Sequence, residues 1–319
     1  MIKRVRSEAT EEGLKIFTWE YMKYVTKQKM KDNSIFNKDK KKFSQMNKTR
    51  KVIAVIGSKN VWSKNVEEPF HITIVACVAA MGLSVPPLLI LPVQRLNCAT
   101  MDQCSINGRT ETVAPKGLMK SNIFIKWLDH FSSNVPSHVK RPFVIVYDGY
   151  GRNYNTDIVE KDNELRIILV LLPSNSNHLI QPLDILVFKQ FKTEFKHQIE
   201  KFMIENSCTS FTKKDAIVIA FIGSEKGIIN KPETIDAGFK AGGLWPVSFP
   251  QMQSRWCLFY NGGVNFTELS IVPWITTWEV ARTEILSLPI GIDRTRKRKK
   301  TLDVKNRLLK LESLNIYDD

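Results

Sequence analysis

Cysteine is scarce in this chain. There are five in 319 residues (Cys77, Cys98, Cys104, Cys208 and Cys257), odd in number, widely spaced and without a Cys-x-x-Cys pair. Neither a zinc module nor a disulfide framework is indicated, and a reducing compartment fits such usage. Long apolar runs are missing too. The best candidate, residues 72–91, is broken by Gly82, Ser84, Pro86 and Pro87, so no stretch reads as a membrane span. Met1-Ile2-Lys3-Arg4 carries no apolar signal region, and there is no internal repeat.

Acidic residues are in deficit: 32 Asp and Glu stand against 47 Lys and Arg, a formal charge of +15. A polyanionic partner suits that imbalance, and nucleic acid suits it best. The positive charge clusters between Lys23 and Lys51 and in Arg294-Thr295-Arg296-Lys297-Arg298-Lys299-Lys300. Such runs read as phosphate-neutralising patches or a nuclear localisation signal, which makes the nucleus the expected compartment. A solvated tail is the alternative reading of the second run. With 43% apolar residues, the chain can bury one sizeable core or two modest ones.

Periodicity supplies the elements. Residues 8–30 read as a helix with Phe17, Tyr21 and Tyr24 on one face and Trp19 off it. Residues 51–56 are β-rich. Residues 71–80 and 85–91 form a hairpin around Met81-Gly82. Residues 121–131 read as a helix with Ser121 as its N-cap and Phe124, Trp127, Leu128 and Phe131 on one face. Residues 143–147 and 167–172 are apolar, strand-like runs joined by a short polar helix over 157–164. After Pro182, Phe188, Phe191, Phe195, Ile199 and Phe202 recur at helical spacing. Residues 213–222 and 235–240 are further helical candidates. From Pro250 onward Trp256, Phe259, Tyr260, Trp274 and Trp278 show no clear period, and residues 302–314 have the spacing of a terminal amphipathic helix.

Three acids occupy informative places. Asp148 follows Phe143-Val144-Ile145-Val146-Tyr147 and precedes a glycine; at the carboxyl end of an inner strand it points into a crevice or simply forms the turn. Asp184, in Gln181-Pro182-Leu183-Asp184, opens the Phe-rich helix, where an acid also complements the helix dipole. Asp39 lies in Ser34-Ile35-Phe36-Asn37-Lys38-Asp39-Lys40-Lys41-Lys42, where a short strand over 34–37 or a solvated lysine loop both fit. Three convergent carboxylates are what metal-assisted phosphodiester cleavage requires, since paired Mg²⁺ ions must be bridged by hard oxygen ligands.

Several ordered blocks resemble the DDE superfamily of transposase-derived endonucleases, in particular its pogo, Tigger and jerky group. They are Asn37-Lys38-Asp39, Ile56-Gly57-Ser58-Lys59 with residues 71–77, Gly82-Leu83-Ser84-Val85-Pro86-Pro87, residues 124–131, Leu172-Pro173-Ser174-Asn175-Ser176-Asn177-His178 with Gln181-Pro182-Leu183-Asp184, and Phe239-Lys240-Ala241-Gly242-Gly243-Leu244-Trp245-Pro246. The last four residues of the fifth block are the nearest to a signature, and the likeness runs over about residues 33–250.

The resemblance implies an α/β, RNase H-like (retroviral integrase-like) mixed sheet flanked by helices, with a helical C-terminal extension. It implies Asp39, Asp148 and Asp184 as catalytic and metal ligands, Mg or Mn as cofactor, and DNA as partner. No membrane partner is implied, and a homodimer is an open arrangement. Lys40, Lys41, Lys42, Arg296, Lys297 and Arg298 are the expected phosphate contacts. The expected organisation is a helical lead-in over 1–32, the DDE core over 33–205, its helical C-terminal part over 206–250 and a basic tail over 251–319.

This sequence also departs from the family pattern. Lys40, Lys41 and Lys42 stand where the family has Glu and then Gly. Tyr150, Arg152 and Asn153 replace its histidines and serine, and Asn175 replaces the first histidine of a pair in which His178 remains. Lysines beside a carboxylate compete with metal for it. Two functions are therefore expected side by side, a metal-dependent endonuclease or strand-transfer core and a catalytically silent DNA-binding or scaffold protein. Full-length relatives carry helix-turn-helix modules upstream; the residues before Asn37 are too few for them, which suggests a fragment or a decayed element.

Overall fold

The computed structural model describes residues 9–44, 71–91, 110–114, 117, 119–148, 156–206 and 212–260. The expected strand at 51–56, the expected helix at 302–314 and the basic run at 294–300 lie outside them.

Six strands form one sheet. They are β1 (Ile35–Ser44), β2 (His71–Ala79), β3 (Ser84–Leu91), β4 (Thr110–Val113), β5 (Phe143–Tyr147) and β6 (Ile167–Leu171), in the order β4-β3-β2-β1-β5-β6. β2 pairs antiparallel with β1 and with β3, whereas β4 runs parallel to β3, β5 to β1 and β6 to β5. The mixed sheet expected from the sequence is thus present, and β4 is a strand that its four residues, Thr-Glu-Thr-Val, did not announce. The hairpin turns at Gly82, whose φ of 91° suits glycine, and a Cβ there would come within 2.9 Å of Pro232 Cβ.

β1 is longer than expected, running straight through the lysines. β2 explains this: it pairs with β1 from Phe36 to Ser44, whereas β5 pairs only from Ile35 to Lys38. Ladder hydrogen bonds to β2 outweigh the weak strand preference of lysine and aspartate.

Helices cover both faces. On one side lie α2 (Ser121–Asn134) and α3 (Thr156–Glu164), packing Phe124, Trp127, Leu128, Phe131 and Ile158 onto Phe36, Cys77, Ile145 and Leu169. The N-cap of α2 is Lys120, with Ser121 the first helical residue, so the cap stands one position earlier than the sequence suggested. On the other side lie α1 (Glu11–Lys27), the short α4 (Asn177–Ile180), α5 (Phe188–Glu205), α6 (Lys213–Ser224), α7 (Pro232–Gly242) and α8 (Phe249–Tyr260). Their apolar faces join Ile35, Phe43, Ile74, Val144 and Val146 in a second core. Each sheet face thus has its own dry layer, the arrangement of a three-layer α/β fold.

α8 corrects the aperiodic reading after Pro250. Its apolar residues do not trace a clean stripe because it packs on three helices, α1, α4 and α7. Trp256 Nε1 donates to Ala9 O at 2.9 Å, and Met252 is fully buried. Gly243, at φ 68°, ends α7 in the left-handed conformation that turns the chain toward α8.

Candidate active site beside the central parallel strands

Side chains alternate along a strand, so β1 sorts its residues by parity. Phe36 and Lys38 face the α2 side, where the Lys38 ammonium lies 4.8 Å from the Phe124 ring centroid, 5.4 Å from Trp127 and 5.6 Å from Tyr147. Ile35 and Phe43 face the opposite core, and Asn37, Asp39 and Lys41 share their parity. On β5, Val144 and Val146 point to that same side and Ile145 and Tyr147 to the other. Asp148 follows Tyr147, the last residue of β5 and the register partner of Lys38, and its charge acts on both of them.

The third acid arrives through Asn37. This fully buried amide donates from Nδ2 to Val146 O at 2.9 Å and accepts at Oδ1 from the Leu183 backbone N–H at 3.1 Å. One side chain therefore ties β1, β5 and the turn that carries Asp184. Asp184 lies in a single π-helical turn, Leu183–Val187, that leads into α5. Such turns are uncommon in helices and gather at functional sites. The sequence reading placed Asp184 at a helix start, which holds, without foreseeing the wider turn.

Each acid has a protein partner. Asp39 Oδ1 accepts from the Lys40 backbone N–H at 2.7 Å. Asp148 Oδ2 accepts from Asn177 Nδ2 at 2.6 Å, and Asn177 opens α4. Asp184 Oδ1 is 2.5 Å from Lys41 Nζ. Asp39 is buried, and both burial and the charge of Asp184 push its carboxyl up to about 7, although the Lys40 N–H, Lys41 and Lys38 pull the other way. Desolvation, with Lys40 adding to it, lowers the Lys38 ammonium to about 8.

The structure thus brings Asp39 and Asp184 within electrostatic reach of each other and sets Asp148 on the adjoining strand. Among the described residues no group of three His, Cys, Asp or Glu is close enough to hold a metal ion. The donor set itself is all carboxylate oxygen, the class that hard divalent cations take. Of the expected phosphate contacts, Lys40 and Lys42 are exposed, Lys41 is engaged with Asp184, and residues 296–298 lie outside the described residues.

Sequence reasoning missed Arg255. From α8 it donates through Nε to Leu179 O at 2.6 Å and through an Nη to His178 O at 3.1 Å. It so closes the carbonyl end of α4, the helix that presents Asn177 to Asp148. The His178 ring packs edge-on against Phe259, with centroids 4.9 Å apart. An Arg in a segment without clear period gave no signal; only the placement of α8 reveals it.

Residues 71–223 match the family described as DDE superfamily endonuclease. Asp148 and Asp184 fall inside the match, whereas Asp39 precedes it. A curated protein of Cochliobolus lunatus, the MFS-type transporter clz9, is 24% identical over 236 residues, which is 71% of this chain and 25% of that protein. The chain therefore spans about a quarter of that relative's length. Among the described residues, no helix is long and apolar enough to cross a membrane. Among solved structures, the Mos1 strand transfer complex superposes with a TM-score of 0.51 at 11% identity, over 81% of this chain and 64% of that one. That likeness concerns the fold, which is RNase H-like.

Proposed function

We propose, from the premise that this chain belongs through residues 71–223 to the DDE superfamily of endonucleases, that it is a transposase-derived DNA-binding protein. Its metal-dependent cleavage or strand-transfer site is built on Asp39, Asp148 and Asp184. The observation that carries this reading is the Asn37 side chain, which ties the turn bearing Asp184 to β1, the strand of Asp39, and to β5, the strand that Asp148 follows. Asp39, Asp148 and Asp184 would hold Mg²⁺ or Mn²⁺, and the ion would supply an activated water or 3′-hydroxyl and stabilise the leaving oxygen. The formal charge of +15 supports phosphate binding by Lys40, Lys42 and the basic run at 294–300. Membership of the pogo, Tigger and jerky group, a nuclear location, homodimerisation and the four-part division of the chain belong to the same proposal.

A second reading is a catalytically silent DNA-binding protein of the same descent. The Lys41–Asp184 ion pair favours it, because the third acid already has a cation.

The test is nicking of supercoiled plasmid by the full chain in MgCl2 or MnCl2, beside Asp148→Ala and Asp184→Ala. Nicking that disappears in both variants is the expected result for an active site. No nicking, with salt-dependent DNA binding equal in all three proteins, selects the silent reading. Nicking that persists in both variants overturns the assignment of these acids.

A further inference from the structure

We infer that Lys41 is the resident countercation of Asp184 and sets how tightly this site takes a divalent ion. The inference rests on the reading that Asp39, Asp148 and Asp184 are the metal ligands. Of the three consecutive lysines, strand parity turns Lys41 alone toward the acids, while Lys40 and Lys42 are exposed. Its ammonium is held on two sides, by Asp184 Oδ1 at 2.5 Å and by the Phe188 ring, with the centroid at 5.6 Å. Phe188 lies one helical turn after Asp184, so ring and carboxylate come from the same stretch of chain. The side chains of Lys41 and Asp184 are 32% and 20% exposed, so solvent and salt screen the pair less than they would at an open surface.

For a divalent ion to take the Asp184 oxygen, this ammonium has to leave it. The ion brings two charges where lysine brings one, but binding also breaks an existing ion pair and a ring contact. The observed affinity is the difference between the two. Removing the ammonium while keeping the apolar stem should therefore strengthen metal binding. It should also leave Asp39 and Asp184 facing each other without their neutralising neighbour. Metal-free protein then becomes less stable and metal-loaded protein regains what was lost. A lysine that only binds phosphate predicts neither effect.

The experiment is calorimetric titration of the full chain with MnCl2, comparing the natural protein, Lys41→Met, and Lys41→Met combined with Asp184→Asn, with melting curves of each in EDTA and in MnCl2. We expect Lys41→Met to bind Mn²⁺ at least about tenfold more tightly, to melt lower in EDTA and to gain more from MnCl2, and the double variant to lose the gain. Equal Mn²⁺ affinity in the natural protein and Lys41→Met, abolished in both by Asp39→Asn, overturns the role of Lys41 and leaves the metal site standing. No Mn²⁺ binding by a folded Lys41→Met protein overturns the metal site and this inference with it.

Discussion

On the side of the sheet covered by α2 and α3, the strands present Phe36, Val75, Ile145 and Leu169, and the Lys38 ammonium is enclosed by three aromatic rings. On the opposite side the same strands present Ile35, Ile74 and Val144, and β1 adds Asp39 and Lys41, the latter paired with Asp184 from the turn before α5. Lys38 and Lys41 are three residues apart on one strand and meet opposite fates. Lys38 is held by ring faces in a site that disfavours its charge, whereas Lys41 is held by a carboxylate it neutralises. One face is a foundation; the other ends in a polar cluster in which Asp39 is buried and the Lys41–Asp184 pair is partly open to water.

That contrast predicts separable effects. The largest should come from the foundation. Trp127 is 1% exposed, and Trp127→Ala is expected to cost about 3–5 kcal/mol in urea unfolding. Mn²⁺ affinity of the folded fraction should stay unchanged, and a parallel fall in affinity would show that the two faces are not independent. A smaller effect should cross the boundary. Asn37→Ala leaves the Val146 carbonyl and the Leu183 N–H without the side chain that pairs them, at about 2–3 kcal/mol. Here stability and Mn²⁺ affinity should fall together, since the same amide positions Asp184. Stability lost without any change in metal binding would reduce Asn37 to a core hydrogen bond.

The gentlest effect is a slope spread over several pH units, read in EDTA. Asp39 binds its proton more tightly in the folded protein (to about 7) than its ordinary value of 3.8. The folded state therefore holds a proton that the unfolded state has lost between those values. This contribution is complete below about pH 4 and is lost as pH rises to about 7. Asp39→Asn should flatten that part of the stability curve, and an unchanged slope would place the acid in a more solvated setting than its neighbours imply.

Much of the scaffold was legible from spacing. The hairpin around Gly82, the strand before Asp148 and the Phe188, Phe191 and Phe195 stripe after Asp184 all stand where apolar period and glycine position indicated. The misses share a cause. β4 is only four residues long, and α8 divides its contacts among α1, α4 and α7. β1 persists through lysines because β2 pairs with it as far as Ser44. In each case the deciding interactions are distant in sequence and leave no local period.

The sequence by itself determined the apolar layers and the excess of positive charge, because burial and net charge follow directly from residue type and period. Which lysine serves which acid was decided only by the tertiary structure. The parity of β1 in its register with β2 and β5 sends Lys38 to the rings and Lys41 to Asp184. The Asn37 link then fixes where Asp184 meets that strand. Register is a property of paired strands, and a one-residue slip would exchange the two faces and every partnership on them.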